Sequence, residues 1–473
     1  MTDPDDPIEL FRKHGHLLID FIANYLTDCS NEHIRVTQLI DPEDSYHTWL
    51  EELIHPTLSV SQLSSKIISD SIHLHHPGYV GHQVANSHPF ALLSDLSAGL
   101  LNNGMAVYEM GQVSVAMERA VCEILTSLVS WPKTSTGFFT SGGTLANLTA
   151  LLTAREIGSG GTYWNSGHRN SKYAIMVSKE AHYSVERAIK IMGLGQDAII
   201  SIPTNDDFQA DVSVLEDLYL QAVDRGFKIF AIIANAGSTA TGSYDDIEAF
   251  ALFAKPKKIW LHVDGAHGGA VCFSDTYRHL IKGIEEADSM ILDFHKLLQT
   301  PILSTALLYK SYQSSYQTFT QGAQYLYEQK DQEWYQLGKR TFECTKNMMV
   351  LKAYTLIHQL GIKRLGLDID YRYDLAKQFA DLIRMDSSFE LATYPASNIV
   401  CFRYKPKEVD DEQCDELNRV IRKNILATGK FYLVQTVIDH KTYLRTSLMN
   451  PATTLDHLKK LLALIKSLDP LRL

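Results

Sequence analysis

Short apolar runs alternating with stretches of helical spacing constrain this chain more than any other feature. The runs are Gly137-Phe-Phe-Thr140, Tyr173-Ala-Ile-Met-Val177, Ala198-Ile-Ile-Ser201, Ile229-Phe-Ala-Ile-Ile233, Ile259-Trp-Leu-His-Val263, Ser289-Met-Ile-Leu292 and Thr305-Ala-Leu-Leu308. Their apolar residues are consecutive, so both faces of each run need covering. That is the condition of a mostly parallel central sheet flanked by helices on both sides. Ligands of such sheets bind beyond the carboxyl ends of the strands, so the chemistry-bearing residues are expected there.

Outside this zone the pattern changes. Residues 1–80 are helix-rich, with Leu17, Ile19, Phe21, Ile22, Tyr25 and Leu26 at helical spacing. Residues 346–473 open on a long helical pattern and then mix strands (Ile399-Val-Cys-Phe-Arg403, Tyr443-Leu-Arg-Thr-Ser447) with helices. The expected organisation is an N-terminal helical segment over 1–80, a large α/β domain over 81–345 and a small α+β domain over 346–473. A length of 473 residues accommodates this.

Charge and cysteine usage exclude several classes. A net charge of -11 argues against nucleic acid or an anionic membrane as the main partner. No apolar run reaches membrane-spanning length, and Met1-Thr-Asp-Pro-Asp-Asp6 lacks the basic-then-apolar order of a secretory signal. The 6 cysteines are far apart and show no CxxC spacing, which suits reduced thiols in a cytoplasmic protein. Cys344 reads as a core residue. The cluster His73-Leu-His-His76 has no carboxylate at ligand spacing, so no metal is expected.

The ends of the apolar runs carry the chemistry. Thr140-Ser-Gly-Gly-Thr144 precedes a helical pattern, and glycines there let backbone amides approach an anion at a helix terminus. His182, in Ser178-Lys-Glu-Ala-His182, is placed to lie flat on a ring. The small and hydroxyl residues of Ala236-Gly-Ser-Thr239-Ala-Thr-Gly242 suit a crowded cofactor edge. Taken singly, these fragments also read as a capped loop, a hydrogen-bonded structural histidine and a turn. Two further residues join them: Asp264 ends one run and Lys296 follows another, in Asp293-Phe-His-Lys296. A lysine past one strand and an acid past another meet the requirements of pyridoxal 5'-phosphate (PLP). The lysine amine forms a Schiff base with its aldehyde, and the carboxylate keeps the pyridine nitrogen protonated.

With these pieces in place the chain resembles the group II PLP-dependent amino acid decarboxylases, from Phe11-Arg-Lys-His-Gly to Arg445-Thr-Ser-Leu-Met-Asn450. The most specific matches are Glu180-Ala-His182-Tyr-Ser-Val-Glu-Arg-Ala188, Trp260-Leu-His-Val-Asp264, Ala287-Asp-Ser289 and His295-Lys296. The resemblance implies the PLP-dependent transferase fold type I, aspartate aminotransferase-like, in a homodimer whose chains share active sites. It implies Lys296 as the Schiff-base lysine, Asp264 as the pyridinium partner and His182 stacked on the ring. Gly143, Thr144 and His295 would hold the phosphate with Asp293 nearby, and Thr239 and Ala266 would flank the cofactor. In the segment from Gln321 to Leu337, Tyr327 would return a proton to Cα. Arg445 matches the arginine that receives the substrate α-carboxylate in the glutamate branch, its other reading being a surface ion pair. Tyr79, just past a segment that lines the family's substrate cleft, is a second expected substrate contact. Leu297 stands where the family often has tryptophan, and Thr144 where it usually has serine. The turn Asp264-Gly-Ala-His267 replaces the usual Asp-Ala-Ala followed by an aromatic residue.

The implied reaction is α-decarboxylation of an L-amino acid to its amine and CO2. Asn102-Asn-Gly-Met-Ala-Val-Tyr-Glu-Met110 is similar to the glutamate and diaminobutyrate branch, which points to a small polar aliphatic substrate such as 2,4-diaminobutyrate, glutamate or aspartate. The alternatives are an aromatic-L-amino-acid decarboxylase, an aldehyde-forming oxidative decarboxylase, a fold type I aminotransferase and a non-catalytic PLP-binding protein.

Overall fold

A computed structural model describes residues 6–167, 171–319, 334–407 and 409–469. They group into two compact units. One comprises 1–82, 378–392 and 401–473, the other 83–377 and 393–400.

The first unit opens with helices α1 (Pro7–Ser30), α2 (Pro42–Ile54) and α3 (Val60–Ser69). Asp6 caps α1 by accepting from the Ile8 N–H ahead of a proline in the first turn, and Ser59 with Gln62 forms a capping box on α3. These caps satisfy amides that a helix start leaves open.

The second unit contains α4 (Pro89–Leu101), α5 (Tyr108–Leu128), β1 (Thr136–Thr140), α6 (Gly143–Gly158), α7 (Tyr163–Ser166), β2 (Lys172–Ser178) and α8 (Tyr183–Ile191). It continues through β3 (Ile199–Ile202), α9 (Leu215–Asp224), β4 (Phe227–Asn235), α10 (Ile247–Lys257), β5 (Trp260–Asp264), β6 (Ser289–Asp293), β7 (Thr305–Tyr309) and the first part of α11 (Val350–Met385). The seven-stranded sheet has the order β1-β7-β6-β5-β4-β2-β3. Neighbours from β6 through β3 pair in parallel, while β7 runs antiparallel to both β6 and β1. All strands but β7 therefore point the same way. Each apolar run named first in the sequence lies on one of these strands, except that Ala198 and Ile259 stand one residue ahead of β3 and β5.

Every residue of β5, β6 and β7 is buried, and Phe138, Phe139, Phe230 and Tyr309 have 2% exposure or less. Burying each such side chain contributes roughly 1.5–3 kcal/mol. The parallel strands end at Thr140, Ser178, Asn235, Asp264 and Asp293, so the residues that follow them converge on one edge of the sheet.

Returning to the first unit, β8 (Phe389–Leu391), β9 (Ile399–Tyr404, counted in this unit from Cys401 on), α12 (Asp411–Thr428), β10 (Val434–Ile438), β11 (Lys441–Ser447) and α13 (Leu455–Ser467) form a small α+β part. Its antiparallel sheet has the order β10-β11-β9-β8. Two of these strands were expected, and β8 and β10 are additions. Cys344 corrects an expectation, because it is exposed. It lies in a turn whose inward-facing positions are taken by Thr341 and Lys346.

Candidate active site

The edge of the parallel sheet holds a cavity of about 250 Å³ lined by Gly143, Thr144, His182, Thr239, Asp264, Ala266, Asp293, His295 and Lys296. These residues come from five separate places in the chain, and the common strand direction brings them together.

The turn into α6 is built for an anion. Gly142 has φ 113°, a conformation that disfavours any side chain. Helix α6 starts at Gly143 with no side-chain cap, leaving its first amides and its positive dipole end beside the cavity. Gly237, with φ 84°, serves the opposite wall: a Cβ there would stand 2.8 Å from the Gly268 nitrogen.

Asp264 is the last residue of β5 and 7% exposed. Its Oδ2 accepts from Asn147 Nδ2 at 2.8 Å and its Oδ1 from the Ala266 N–H at 3.2 Å. Asn147 Nδ2 also donates to Ser184 Oγ at 3.0 Å, and Ser184 Oγ lies 2.7 Å from His182 Nδ1. His182 is the N-cap of α8 and accepts from the Ser184 N–H. Burial pushes its pKa below the ordinary histidine value; Asp264 opposes that shift and Lys296 reinforces it.

Lys296 follows β6 and places its Nζ 3.2 Å from Asp293 Oδ2, with His295 Nε2 at 3.5 Å from the same oxygen. The other carboxylate oxygen accepts from Thr305 Oγ1 at 2.5 Å. Asp293 is thus fixed between a β7 hydroxyl and two cationic or titratable neighbours.

Residue pattern alone did not reveal Asn147, Ser184 and Asn235, which also line the cavity; Ser238 beside them belongs to the hydroxyl-rich turn expected there. Asn147 sits on a helix that is buried almost all round, and a polar residue inside such a helix was the available signal. Tyr327 lies outside the described residues.

Arg445 and Tyr79 belong to the first unit. Arg445 is on β11, paired with Val434, and only 6% exposed, which removes the surface ion pair reading. Burial lowers its pKa. Tyr79 stacks on Tyr432 with ring centroids 5.1 Å apart and its phenol is pushed up to about 12 by burial. Their neighbour His82 is lowered mainly by burial and further by the charges of Arg445 and Arg422.

The donor set suits PLP. Amides at an uncapped helix start and the Thr144 hydroxyl match a phosphate, a firmly held carboxylate matches a pyridinium nitrogen, and a lysine amine matches an aldehyde. Among described residues no helix is long and apolar enough to cross a membrane.

Comparison with known proteins agrees with this fit. The profile of the pyridoxal-dependent decarboxylase conserved domain matches residues 56–405. Aspartate 1-decarboxylase of Aliivibrio fischeri (strain ATCC 700601 / ES114) is 30% identical over 445 residues, spanning 85% of this chain and 81% of that protein. Aromatic-L-amino-acid decarboxylase of Bacillus atrophaeus is 27% identical over 471 residues, spanning 97% and 95%. Among solved structures, the glutamate decarboxylase domain of diaminobutyrate-pyruvate transaminase and L-2,4-diaminobutyrate decarboxylase from Vibrio parahaemolyticus aligns with a TM-score of 0.86 at 26% identity, over 99% of this chain and 100% of that one. The fold is that of the PLP-dependent fold type I enzymes.

Proposed function

We propose that this chain, which belongs to the pyridoxal-dependent decarboxylase family and is a PLP-dependent amino acid decarboxylase, acts on a small polar aliphatic L-amino acid such as aspartate, glutamate or 2,4-diaminobutyrate. The observation that carries the reading is the meeting of Lys296, Asp264 and His182 in one cavity at the strand ends. The segment Asn102–Met110 and the similarity to an aspartate decarboxylase support a small polar substrate over an aromatic one.

When bound, PLP supplies an electron-withdrawing ring that accepts the electron pair released at Cα as CO2 departs. In our reading Lys296 would hold the cofactor covalently through its amine. Asp264, held by Asn147 and the Ala266 amide, would supply the carboxylate that keeps the pyridine nitrogen protonated. His182, with burial favouring its neutral form, offers a flat uncharged ring face. Gly143, Thr144 and His295 would hold the phosphate, with Asp293 as the partner of Lys296 and His295, while Thr239 and Ala266 would wall the ring. Arg445 takes the substrate α-carboxylate and Tyr79 is a further substrate contact. Tyr327 returns the proton to Cα. The working form is a cytoplasmic homodimer with shared sites.

The test is a panel of L-amino acids incubated with enzyme and PLP, following CO2, amine, ammonia and peroxide. Aspartate, glutamate or 2,4-diaminobutyrate should yield CO2 and amine in equal amounts. Turnover confined to phenylalanine, tyrosine or tryptophan would overturn the substrate reading, and ammonia with peroxide in place of amine would overturn the reaction.

A further inference from the structure

We propose that Glu343 loosens this protein's hold on the phosphate of its cofactor, by occupying the Ser141 donors and by setting a carboxylate charge beside the phosphate loop. The inference rests on the reading of Ser141–Thr144 as that loop.

Ser141 lines the cavity together with Gly142, Gly143 and Thr144. Its Oγ donates to Glu343 Oε1 at 2.5 Å, and its N–H donates to the same oxygen at 3.3 Å. Both donors that Ser141 brings to the loop are therefore directed at a carboxylate and withheld from a bound anion. The second carboxylate oxygen, Oε2, is buried and makes no hydrogen bond. Among the described residues no ion pair neutralises Glu343, since the neighbouring Lys346 is committed to Glu118 at 2.6 Å.

Glu343 is also held in place. The Thr341 hydroxyl donates to the Glu343 carbonyl at 2.8 Å, Lys346 Nζ donates to the Phe139 carbonyl at 2.8 Å, and the Lys346 carbonyl accepts from the Met105 N–H at 3.0 Å. The segment therefore meets the loop both before it, at Phe139, and within it, at Ser141. The backbone on either side of the carboxylate is thus anchored and the carboxylate itself is tied to Ser141, so an arriving dianion meets it across a partly desolvated gap and the two repel. The result is a cofactor that exchanges with the free pool more readily than the amides of the loop alone would allow.

The test is titration of the cofactor-free protein with PLP and with pyridoxal, which lacks the phosphate, by absorbance and protein fluorescence. Wild type should bind PLP more tightly than pyridoxal. Glu343→Gln keeps an acceptor for Ser141 and removes the charge. It should lower the Kd for PLP about five- to tenfold and leave that for pyridoxal within about twofold. The gain should shrink as salt is raised. Glu343→Asp, which restores the charge, should return the PLP-to-pyridoxal ratio to the wild-type value. If Glu343→Gln leaves the Kd for PLP unchanged or raises it while wild type still prefers PLP, the role of Glu343 is refuted and the loop reading stands. If wild type does not distinguish PLP from pyridoxal, the loop reading fails and takes the proposal with it.

Discussion

Asn147 joins Asp264 to His262 through one amide, donating from Nδ2 to Asp264 at 2.8 Å while its Oδ1 stands 2.9 Å from His262 Nε2. The direction of this chain of hydrogen bonds follows from its far end. Trp260 Nε1, which can only donate, gives its hydrogen to Ser289 Oγ at 2.8 Å. That hydroxyl then donates to His262 Nδ1, 2.8 Å away, which leaves the hydrogen on Nε2 to face Asn147 Oδ1. The amide nitrogen is thereby turned toward the carboxylate. A buried polar chain with every member satisfied holds one geometry.

Asn147→Ala should lower kcat/KM by roughly 10- to 100-fold, the loss of a hydrogen bond to a charged group. Asp264 would keep the Ala266 amide but gain freedom to rotate, and His262 Nε2 would face a gap. Steady-state kinetics at saturating PLP, with circular dichroism as a check on folding, measures this. Activity within about twofold of wild type would show that Asp264 needs no such support.

Acid should weaken the fold through His262. Burial lowers its pKa from 6.5 to about 4, with Asp264 opposing. The unfolded chain therefore takes up a proton near pH 6.5 that the native state refuses until about pH 4. The stability linked to this neutral histidine is fully present above pH 6.5 and is lost progressively as pH falls toward 4. At pH 5 the loss amounts to at most about 2 kcal/mol. His182 is displaced in the same direction by the same cause and adds to the slope. Urea midpoints of wild type and His262→Gln at pH 5 and pH 7 should differ, with the variant showing the smaller change.

The strands were legible because a parallel sheet buries both faces and so leaves uninterrupted apolar runs. Strand β10 was not, since its pattern alternates between buried ends and exposed or half-exposed middle positions and carries Gln435 and Thr436. The loops after the strands were legible because glycines, Asp264 and Lys296 have few other reasons to share those positions. The chain through Asn147 was not, because its contacts span 37, 115 and 117 residues and single polar residues inside apolar stretches carry no mark of their partners. Association of 1–82 with 401–473 was hidden for the same reason.

Lys296→Ala should abolish covalent attachment of PLP while leaving the fold intact, since the side chain is 22% exposed and lies at a cavity wall. The visible absorbance of the holoenzyme should vanish, and borohydride reduction should give no PLP-modified peptide containing position 296. Persistence of the modified lysine elsewhere at full stoichiometry would move the anchor to another residue.

Lys346 and Glu118, each with a side chain 1% exposed, form a buried ion pair at 2.6 Å. Glu118 Oε2 has no hydrogen-bond partner, so this carboxylate depends on Lys346 for its compensation. Lys346→Met should therefore destabilise the protein by about 3–5 kcal/mol, because it strands a buried charge and also frees the Phe139 carbonyl. Adding Glu118→Leu removes the stranded charge. The double variant should recover most of the loss, read as the midpoint of urea unfolding. The Phe139 carbonyl remains without the Lys346 donor in both, so the recovery should stop short of wild-type stability. A double variant as unstable as Lys346→Met would mean that packing, and not charge, dominates this position.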